Sequence, residues 1–259
     1  MDSGLLTLDQ LIDARFLYPT VILLLVGAAE LGAWLGRRLR QQSETSEPMT
    51  TLTASALGLL ALLLAFSLSH ALSRYEVRRS LVLEEANAIG STARLAALLP
   101  KDAQPAVLNL LREYVPVRIG LGRTYDLTKV ERDAAKSREL LSELWRHAAA
   151  VSEPQSLPTD RFIKSLDETT KIQERRLESA EYYVPNAVLL MLLGVAILAV
   201  GFTGYQSAGT KSHLHAATLM MAVMIAVVIG LVVDLDQPAL GFISVPTQAL
   251  VEAAKEIGR

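Results

Sequence analysis

Residues 51–72 read TLTASALGLLALLLAFSLSHAL, a run of 22 residues without Asp, Glu, Lys or Arg. An α-helix rises about 1.5 Å per residue, so a helix of this length crosses the roughly 30 Å hydrocarbon core of a bilayer. The run is therefore predicted to be a transmembrane helix. It also carries serines and a phenylalanine, from which a function can be argued.

Three other runs have the same apolar character, and they cover residues 16–36, 184–205 and 214–233. With 51% hydrophobic and 20% charged residues, the chain is too apolar for an ordinary soluble protein of 259 residues. The sequence thus predicts four transmembrane helices in two hairpins, one within residues 1–72 and one within 184–233. The lipid bilayer is the first partner that the sequence predicts.

Residues 73–183, between the second and third of these helices, are charged and rich in Ala, Leu, Glu and Arg. Prolines are expected to divide this region into helices, because proline lacks the N–H that a helix interior needs. They are Pro100, Pro105, Pro116, Pro154 and Pro158. Residues 73–99 contain no proline, so the second membrane helix should continue into water. No segment alternates like a strand, so the predicted fold is all-α, with a helical domain at 73–183 and a tail at 234–259.

The orientation of the protein in the membrane is predicted from the lysines and arginines close to it, since the cytoplasmic flanks of membrane helices carry the excess of these residues. The side with the termini and the helical domain has seven, namely Arg15, Arg74, Arg78, Arg79, Lys171, Arg175 and Arg176. The side with the two short loops has four, namely Arg37, Arg38, Arg40 and Lys211. Termini and domain are therefore predicted to be cytoplasmic, in a multi-pass protein of the cytoplasmic (inner) membrane. The local cluster around Arg38 argues for the reverse.

Composition and motifs exclude several classes of function. A net charge of −2 provides no basic field, so no nucleic-acid partner is predicted. The chain has no cysteine, which excludes disulfides, thiolate metal sites and thiol catalysis. It also lacks a G-x-S-x-G motif, a phosphate-binding glycine loop and an H-E-x-x-H motif. Neither an enzyme nor a resident organic cofactor is predicted.

The second membrane helix has two different faces on a helical wheel of about 100° per residue. One face mixes hydroxyls with large apolar side chains, and it consists of Ser55, Leu59, Leu62, Phe66, Ser69 and Ser73. The opposite face is apolar throughout, with Leu57, Leu60, Leu64, Leu68 and Ala71. A helix face with hydroxyl groups at both ends and large apolar side chains in the middle is typical of a hydrophobic gate, so the first face is predicted to line a pore. The alternative is ordinary helix packing, in which serines bond to backbone carbonyls or to neighbouring helices.

The polar stripe of this helix extends beyond the membrane through Ser80, Glu84 and Asn87, which are predicted to line a cytoplasmic vestibule. If several copies of the chain surround one axis, the Glu84 side chains form a ring of carboxylates below the gate. Such a ring is expected to favour cations at that point of the path.

Acidic residues occur at two further positions of interest. Glu30 lies inside the first membrane helix, where an ionisable group is costly and marks a functional site by default. The alternative is an interfacial glutamate that reaches Arg37 or Arg38. Asp234 and Asp236 follow the fourth membrane helix, and two carboxylates there are candidate oxygen ligands for calcium. The alternative for this pair is a solvated turn.

Three stretches together resemble a bacterial family of membrane proteins described as bestrophin-like. They are Ala65-Phe66-Ser67-Leu68-Ser69 with Ser73-Arg74-Tyr75-Glu76, then Glu84-Glu85-Ala86-Asn87-Ala88-Ile89-Gly90, then Asp234-Leu235-Asp236-Gln237-Pro238 with Gly241-Phe242-Ile243. The resemblance covers most of the chain. It implies kinship with bestrophins, which are pentameric channels with four membrane helices, cytoplasmic termini and a pore lined by the second helix.

For function, the resemblance implies one subunit of a homo-oligomeric, pentameric channel for inorganic ions. Leu59, Leu62 and Phe66 stand where bestrophins have the neck of the pore, and Asp234 and Asp236 stand where they bind calcium. The chain departs from that pattern with a single aromatic residue in the neck and only two aspartates in place of a dense acidic cluster. The alternative to a channel is a non-conducting membrane scaffold or sensor whose cytoplasmic helices bind a partner protein.

Overall fold

The computed structural model describes residues 14–39, 47–121, 127–151, 157–181, 184–208, 212–236 and 243–258. Over these residues the chain forms eight α-helices and no strand, which confirms the all-α prediction. The helices are α1 (Ala14–Leu39), α2 (Glu47–Ala96), α3 (Gln104–Leu121), α4 (Leu127–Ala150), α5 (Leu157–Glu181), α6 (Asn186–Ser207), α7 (Ser212–Asp236) and α8 (Gln248–Ile257).

Four helices in the described part of the chain, α1, α2, α6 and α7, are long and apolar enough to cross a membrane, which confirms the predicted number of spans. The ends of these helices differ from the ends of the hydrophobic runs. Hydropathy marks only the apolar residues, whereas helical hydrogen bonding is independent of side-chain polarity. Thus α7 runs on to Asp236, three residues beyond the predicted end at 233. By contrast, α6 begins only at Asn186, after the capping residue Pro185.

Proline positions predict the helix ends only in part. As expected, α2 continues without a break for 50 residues and ends at Ala96, before Pro100. The predicted break at Pro116 is wrong, because this residue lies inside α3. Burial of the apolar side chains of Leu111 and Val115 close to it offsets the lost backbone hydrogen bond.

The chain divides into two compact units. The first, called here the membrane unit, comprises Met1–Arg74 and Tyr183–Ile243. Its apolar core contains small and medium-sized side chains from all four spans, including Leu25, Leu60, Ala196 and Ala226. Lipid gives apolar helices no hydrophobic reason to associate, so close packing of small residues holds such a bundle together.

Glycines on α1 and α6 bring the backbones of these two helices into contact. A Cβ atom on Gly32 would lie 2.1 Å from the carbonyl oxygen of Gly201. A Cβ atom on Gly204 would lie 2.2 Å from the carbonyl oxygen of Ala29. No side chain fits at such distances, so glycine is required at both positions.

The second unit, called here the helical unit, comprises Tyr75–Tyr182 and Ser244–Arg259. Each of its helices contributes fully buried side chains to one core, including Ile89, Leu111, Leu144, Phe162 and Leu250. Residues 244–259 fall in the stretch expected to be a tail. They belong to this core because α8 is amphipathic and buries Leu250, Ala253 and Ile257 on one face.

Replacing Gly32 by Ala is expected to destabilise the membrane unit by at least about 1–3 kcal/mol, because the added methyl group collides with the backbone of α6. Gly27 on α1 and Gly194 on α6 provide matched controls, since a Cβ atom at either position meets nothing within 4 Å. Alanine there should leave stability unchanged or raise it slightly. Thermal unfolding in detergent measures all three variants, and equal Tm values for G32A and G27A would contradict the close contact of α1 and α6.

Candidate functional site

The face of α2 that was predicted to line a pore is exposed in the single subunit. We call Ser55, Leu59, Leu62, Phe66, Ser69 and Ser73 the open face, and all six are exposed. Its large apolar side chains are 51% (Leu59), 53% (Leu62) and 59% (Phe66) exposed. On the opposite side, Leu60 and Ala71 are buried. The α2 helix therefore packs on the rest of the chain through one side, which leaves the open face uncovered in the structure of the single chain.

The first turn of α2 is attached to the last turn of α6 by hydrogen bonds. The Gln206 amide nitrogen donates to the carbonyl oxygen of Met49 at 2.7 Å and to Thr53 Oγ1 at 2.8 Å. The Thr53 hydroxyl in turn donates to the carbonyl oxygen of Met49 at 3.0 Å. Both N–H groups of the amide thus have acceptors on α2, which fixes this end of the helix against α6.

The opposite end of the membrane part of α2 is held by a buried ion pair. Arg74 Nη2 lies 2.7 Å from Oδ1 of Asp236, whose side chain is fully buried. The other oxygen, Oδ2, accepts the backbone N–H of Val184 at 2.8 Å. A buried carboxylate is stable only when it is paired and hydrogen-bonded in this way. Asp236 therefore joins α2, the end of α7 and the residues that lead into α6.

Asp234 lies one half-turn earlier in α7 and faces α1. The Tyr18 hydroxyl hydrogen-bonds to its carboxylate. The Tyr18 ring packs so closely on Gly230 that a Cβ atom there would lie 2.5 Å from ring carbon Cε1. The solvated turn considered for the two aspartates is wrong, because α7 continues through Asp236 and both carboxylates are buried.

Calcium binding by Asp234 and Asp236 stays a prediction. Among the residues that the structure describes, no three His, Cys, Asp or Glu side chains converge on one point. A calcium ion takes about six to eight oxygen ligands, and it would compete with Arg74 for Asp236. The neighbouring residues Gln237, Pro238 and Gly241 lie outside the described part of the chain.

Glu30 of α1 pairs with His215 near the start of α7. Its Oε1 lies 3.1 Å from His215 Nε2, and the two side chains are 48% and 30% exposed. The expected alternative was a contact with Arg37 or Arg38, and the structure instead places the Arg38 guanidinium 4.6 Å from the centre of the Trp34 ring. Two ionisable side chains paired within membrane-spanning helices remain a functional candidate.

The three predicted vestibule residues belong to the helical unit. Ser80 and Asn87 are exposed, and the Ser80 hydroxyl donates to the carbonyl oxygen of Val77 at 3.0 Å. Glu84 forms an ion pair with Arg175 of α5, with Nη1 and Oε2 3.3 Å apart. The expected preference for cations assumed an uncompensated ring of carboxylates. The structure places the Arg175 guanidinium beside Glu84, so this carboxylate is compensated, and the preference for cations stays a prediction.

A buried ionic cluster that no local sequence pattern predicts surrounds the neighbouring residue Glu85. Its fully buried carboxylate accepts hydrogen bonds from the guanidinium groups of Arg118 in α3 and Arg176 in α5. Arg176 also donates to the carbonyl oxygen of Arg118 at 3.4 Å. One carboxylate thus connects three helices of the helical unit. Such a cluster is stable as a whole but is strongly weakened by the loss of one member.

Neutral polar side chains complete this cluster. The Tyr114 hydroxyl donates to Gln173 Oε1 at 2.7 Å, and the Gln173 amide nitrogen lies 3.5 Å from the Ser137 hydroxyl. Burial raises the pKa of Tyr114, so the hydroxyl keeps its proton and stays a donor. Burial lowers the pKa of Arg176, but the Glu85 carboxylate opposes this change, and the guanidinium remains charged.

Comparison with known proteins finds relatives along nearly the whole chain. The sequence model of the Bestrophin-like domain matches residues 23–250. None of the curated protein sequences matches the chain.

Several solved structures share the fold. A bacterial bestrophin homologue from Klebsiella pneumoniae, phased by zinc anomalous scattering, superposes with a TM-score of 0.67 at 19% identity over 94% of this chain and 96% of that one. A mutant bacterial bestrophin homologue from the same organism gives 0.69 at 17% identity over 92% and 96%. A mutant membrane protein gives 0.70 at 16% identity over 94% and 96%.

Replacing Glu85 by Gln is expected to destabilise the helical unit by about 3–5 kcal/mol, because the guanidinium groups of Arg118 and Arg176 lose the charge between them. The adjacent substitution Glu84→Gln is the control. It breaks an exposed pair and should cost less than about 1 kcal/mol. Thermal unfolding in detergent should show a Tm for E85Q roughly 10 °C below wild type. If E84Q and E85Q have the same Tm, the Glu85 cluster does not stabilise the unit.

Proposed function

The chain belongs to the Bestrophin-like family, and on this basis we propose that it is one subunit of an oligomeric ion channel whose pore is lined by the open face of α2. The exposure of that face in the single subunit carries the proposal. Copies of the chain arranged around an axis would turn the open face towards that axis while keeping Leu60 and Ala71 against their own subunits.

The order of side chains along the open face supports a gate. Leu59, Leu62 and Phe66 lie in the middle, with serines towards both ends. A narrow apolar section excludes water and blocks ions until it widens, whereas hydroxyls keep the approaches hydrated. We assign the constriction to these three side chains and the hydrated approaches to Ser55, Ser69 and Ser73.

The contacts at both ends of α2 suit a helix that lines a pore. Gln206 holds the first turn and Asp236 holds Arg74, so neither attachment uses the open face. The rotation of α2 about its own axis is therefore set within one subunit. Each copy in a ring would present the same side chains at the same height.

The assembly that we propose is a homo-oligomer in the cytoplasmic membrane, with five subunits as the family resemblance implies. The helical unit and the termini lie in the cytoplasm, in agreement with seven against four basic residues close to the membrane. The partners of the protein are then the lipid bilayer and inorganic ions, and no enzymatic activity is assigned to it.

Purified protein reconstituted in a planar bilayer is expected to pass current, and Phe66→Ala should raise that current several-fold. The substitution removes the largest apolar side chain of the constriction, which lowers the barrier to hydration. Leu62→Ala should act in the same direction. Leu23→Ala provides a control, because Leu23 is 72% exposed on α1 and takes no part in the proposed pore.

Absence of current over a range of pH and calcium concentration would contradict the channel. A complex that recovers one partner protein in fixed stoichiometry and conducts nothing would favour a membrane scaffold or sensor instead. Equal effects of L62A and L23A on the current would place the constriction elsewhere in the protein.

A further inference from the structure

Two doublets of opposite charge meet in the helical unit. The acidic doublet is Glu84-Glu85 in α2, and the basic doublet is Arg175-Arg176 in α5. The second members of the doublets form the buried pair of Glu85 and Arg176, whereas the first members form the exposed pair of Glu84 and Arg175. Adjacent helical residues point about 100° apart, which explains why one pair faces the core and the other faces water.

The exposed pair lies in helical register with the proposed gate. Glu84 follows Phe66 by 18 residues, and α2 is helical throughout this interval. Eighteen residues correspond to five turns of about 3.6 residues, so both side chains leave α2 on the same side. In the proposed channel, an ion that has passed the constriction and the serines after it would meet the Glu84 carboxylate and the Arg175 guanidinium, which are 43% and 57% exposed.

We infer that the pair of Glu84 and Arg175 sets the charge preference of this part of the path, an inference that rests on the proposed channel. With both side chains present, each subunit contributes one negative and one positive charge, 3.3 Å apart, and the ring is balanced. Removal of either charge leaves a ring of the other sign. Arg175 is thus a specificity-determining residue that compensates Glu84.

The buried pair explains why Arg175 stays beside Glu84. Arg176 is held by the Glu85 carboxylate and by the carbonyl oxygen of Arg118. These bonds fix the backbone of α5 at the residue next to Arg175. Because the backbone is already fixed, forming the pair with Glu84 costs only the conformational entropy of the Arg175 side chain. This lower cost favours an ion pair that is exposed to water.

The test measures the anion-to-cation permeability ratio from the reversal potential of the reconstituted protein in a KCl gradient. E84Q leaves Arg175 uncompensated and should raise the ratio, whereas R175Q should lower it. The expected size is about fivefold in each direction, the Boltzmann factor for one unit charge roughly 4 Å away in water. R175K keeps the charge and should retain the wild-type ratio, as should the double variant E84Q/R175Q.

A matched control is the exposed pair of Lys136 and Glu139 on α4, whose members are 50% and 59% exposed. K136Q and E139Q make the same charge changes away from the α2 stripe and should leave the ratio unchanged. Elution of every variant at the wild-type volume confirms an intact assembly, which an exposed pair permits.

The outcomes separate the two proposals. If the reconstituted wild-type protein passes no current, the proposed channel function is overturned. A conducting protein in which E84Q and R175Q leave the ratio unchanged, or shift it in the same direction, retains the channel and overturns the role of this pair. Opposite shifts that weaken as ionic strength rises support it, because salt screens exposed charges.

Discussion

The α2 helix is attached to the rest of the chain at both ends of its membrane section and through one side only. At one end the Gln206 amide bonds to Met49 and Thr53, and at the other end the Asp236 carboxylate binds Arg74. Polar contacts shielded from water are strong and directional, so they fix the rotation of a helix more tightly than apolar contact with its neighbours does. The exposure of the open face follows from that rotation, and the proposed pore depends on it.

Each unit uses a different way to hold its helices. In the membrane unit, glycines such as Gly32 and Gly204 let α1 and α6 meet backbone to backbone, because lipid provides no hydrophobic drive for association. In the helical unit, a buried apolar core holds the helices together with the ionic cluster of Glu85, Arg118 and Arg176. Burying these charges is expensive, and the arrangement contributes a defined register between helices more than it contributes net stability.

Patterns that are local in sequence predicted the spans and the course of α2, although they placed a break wrongly at Pro116, whereas contacts between distant residues did not follow from them. Hydropathy predicted four spans, and the lack of proline in residues 73–99 predicted that α2 continues beyond the membrane, since both depend on consecutive residues. The pairing of Glu84 with Arg175 joins residues 91 positions apart, and spacing carries no information about it. Glu30 and His215 lie 185 positions apart. The doublets Glu84-Glu85 and Arg175-Arg176 were a visible signal, but their partners become evident only once α2 and α5 are packed together.

Whether α2 lines a pore can be decided by measuring which of its side chains water reaches. The chain has no cysteine, so single cysteines can be introduced without background and exposed to a membrane-impermeant, water-soluble thiol reagent in the reconstituted protein. If α2 lines a pore, the reagent labels cysteines that replace Ser55, Ser69 or Ser73. It does not label cysteines that replace Leu60 or Ala71, which are buried. If a lipid-soluble thiol reagent labels the three serine positions and the water-soluble reagent does not, the open face lies in the bilayer. That result would contradict a pore along α2.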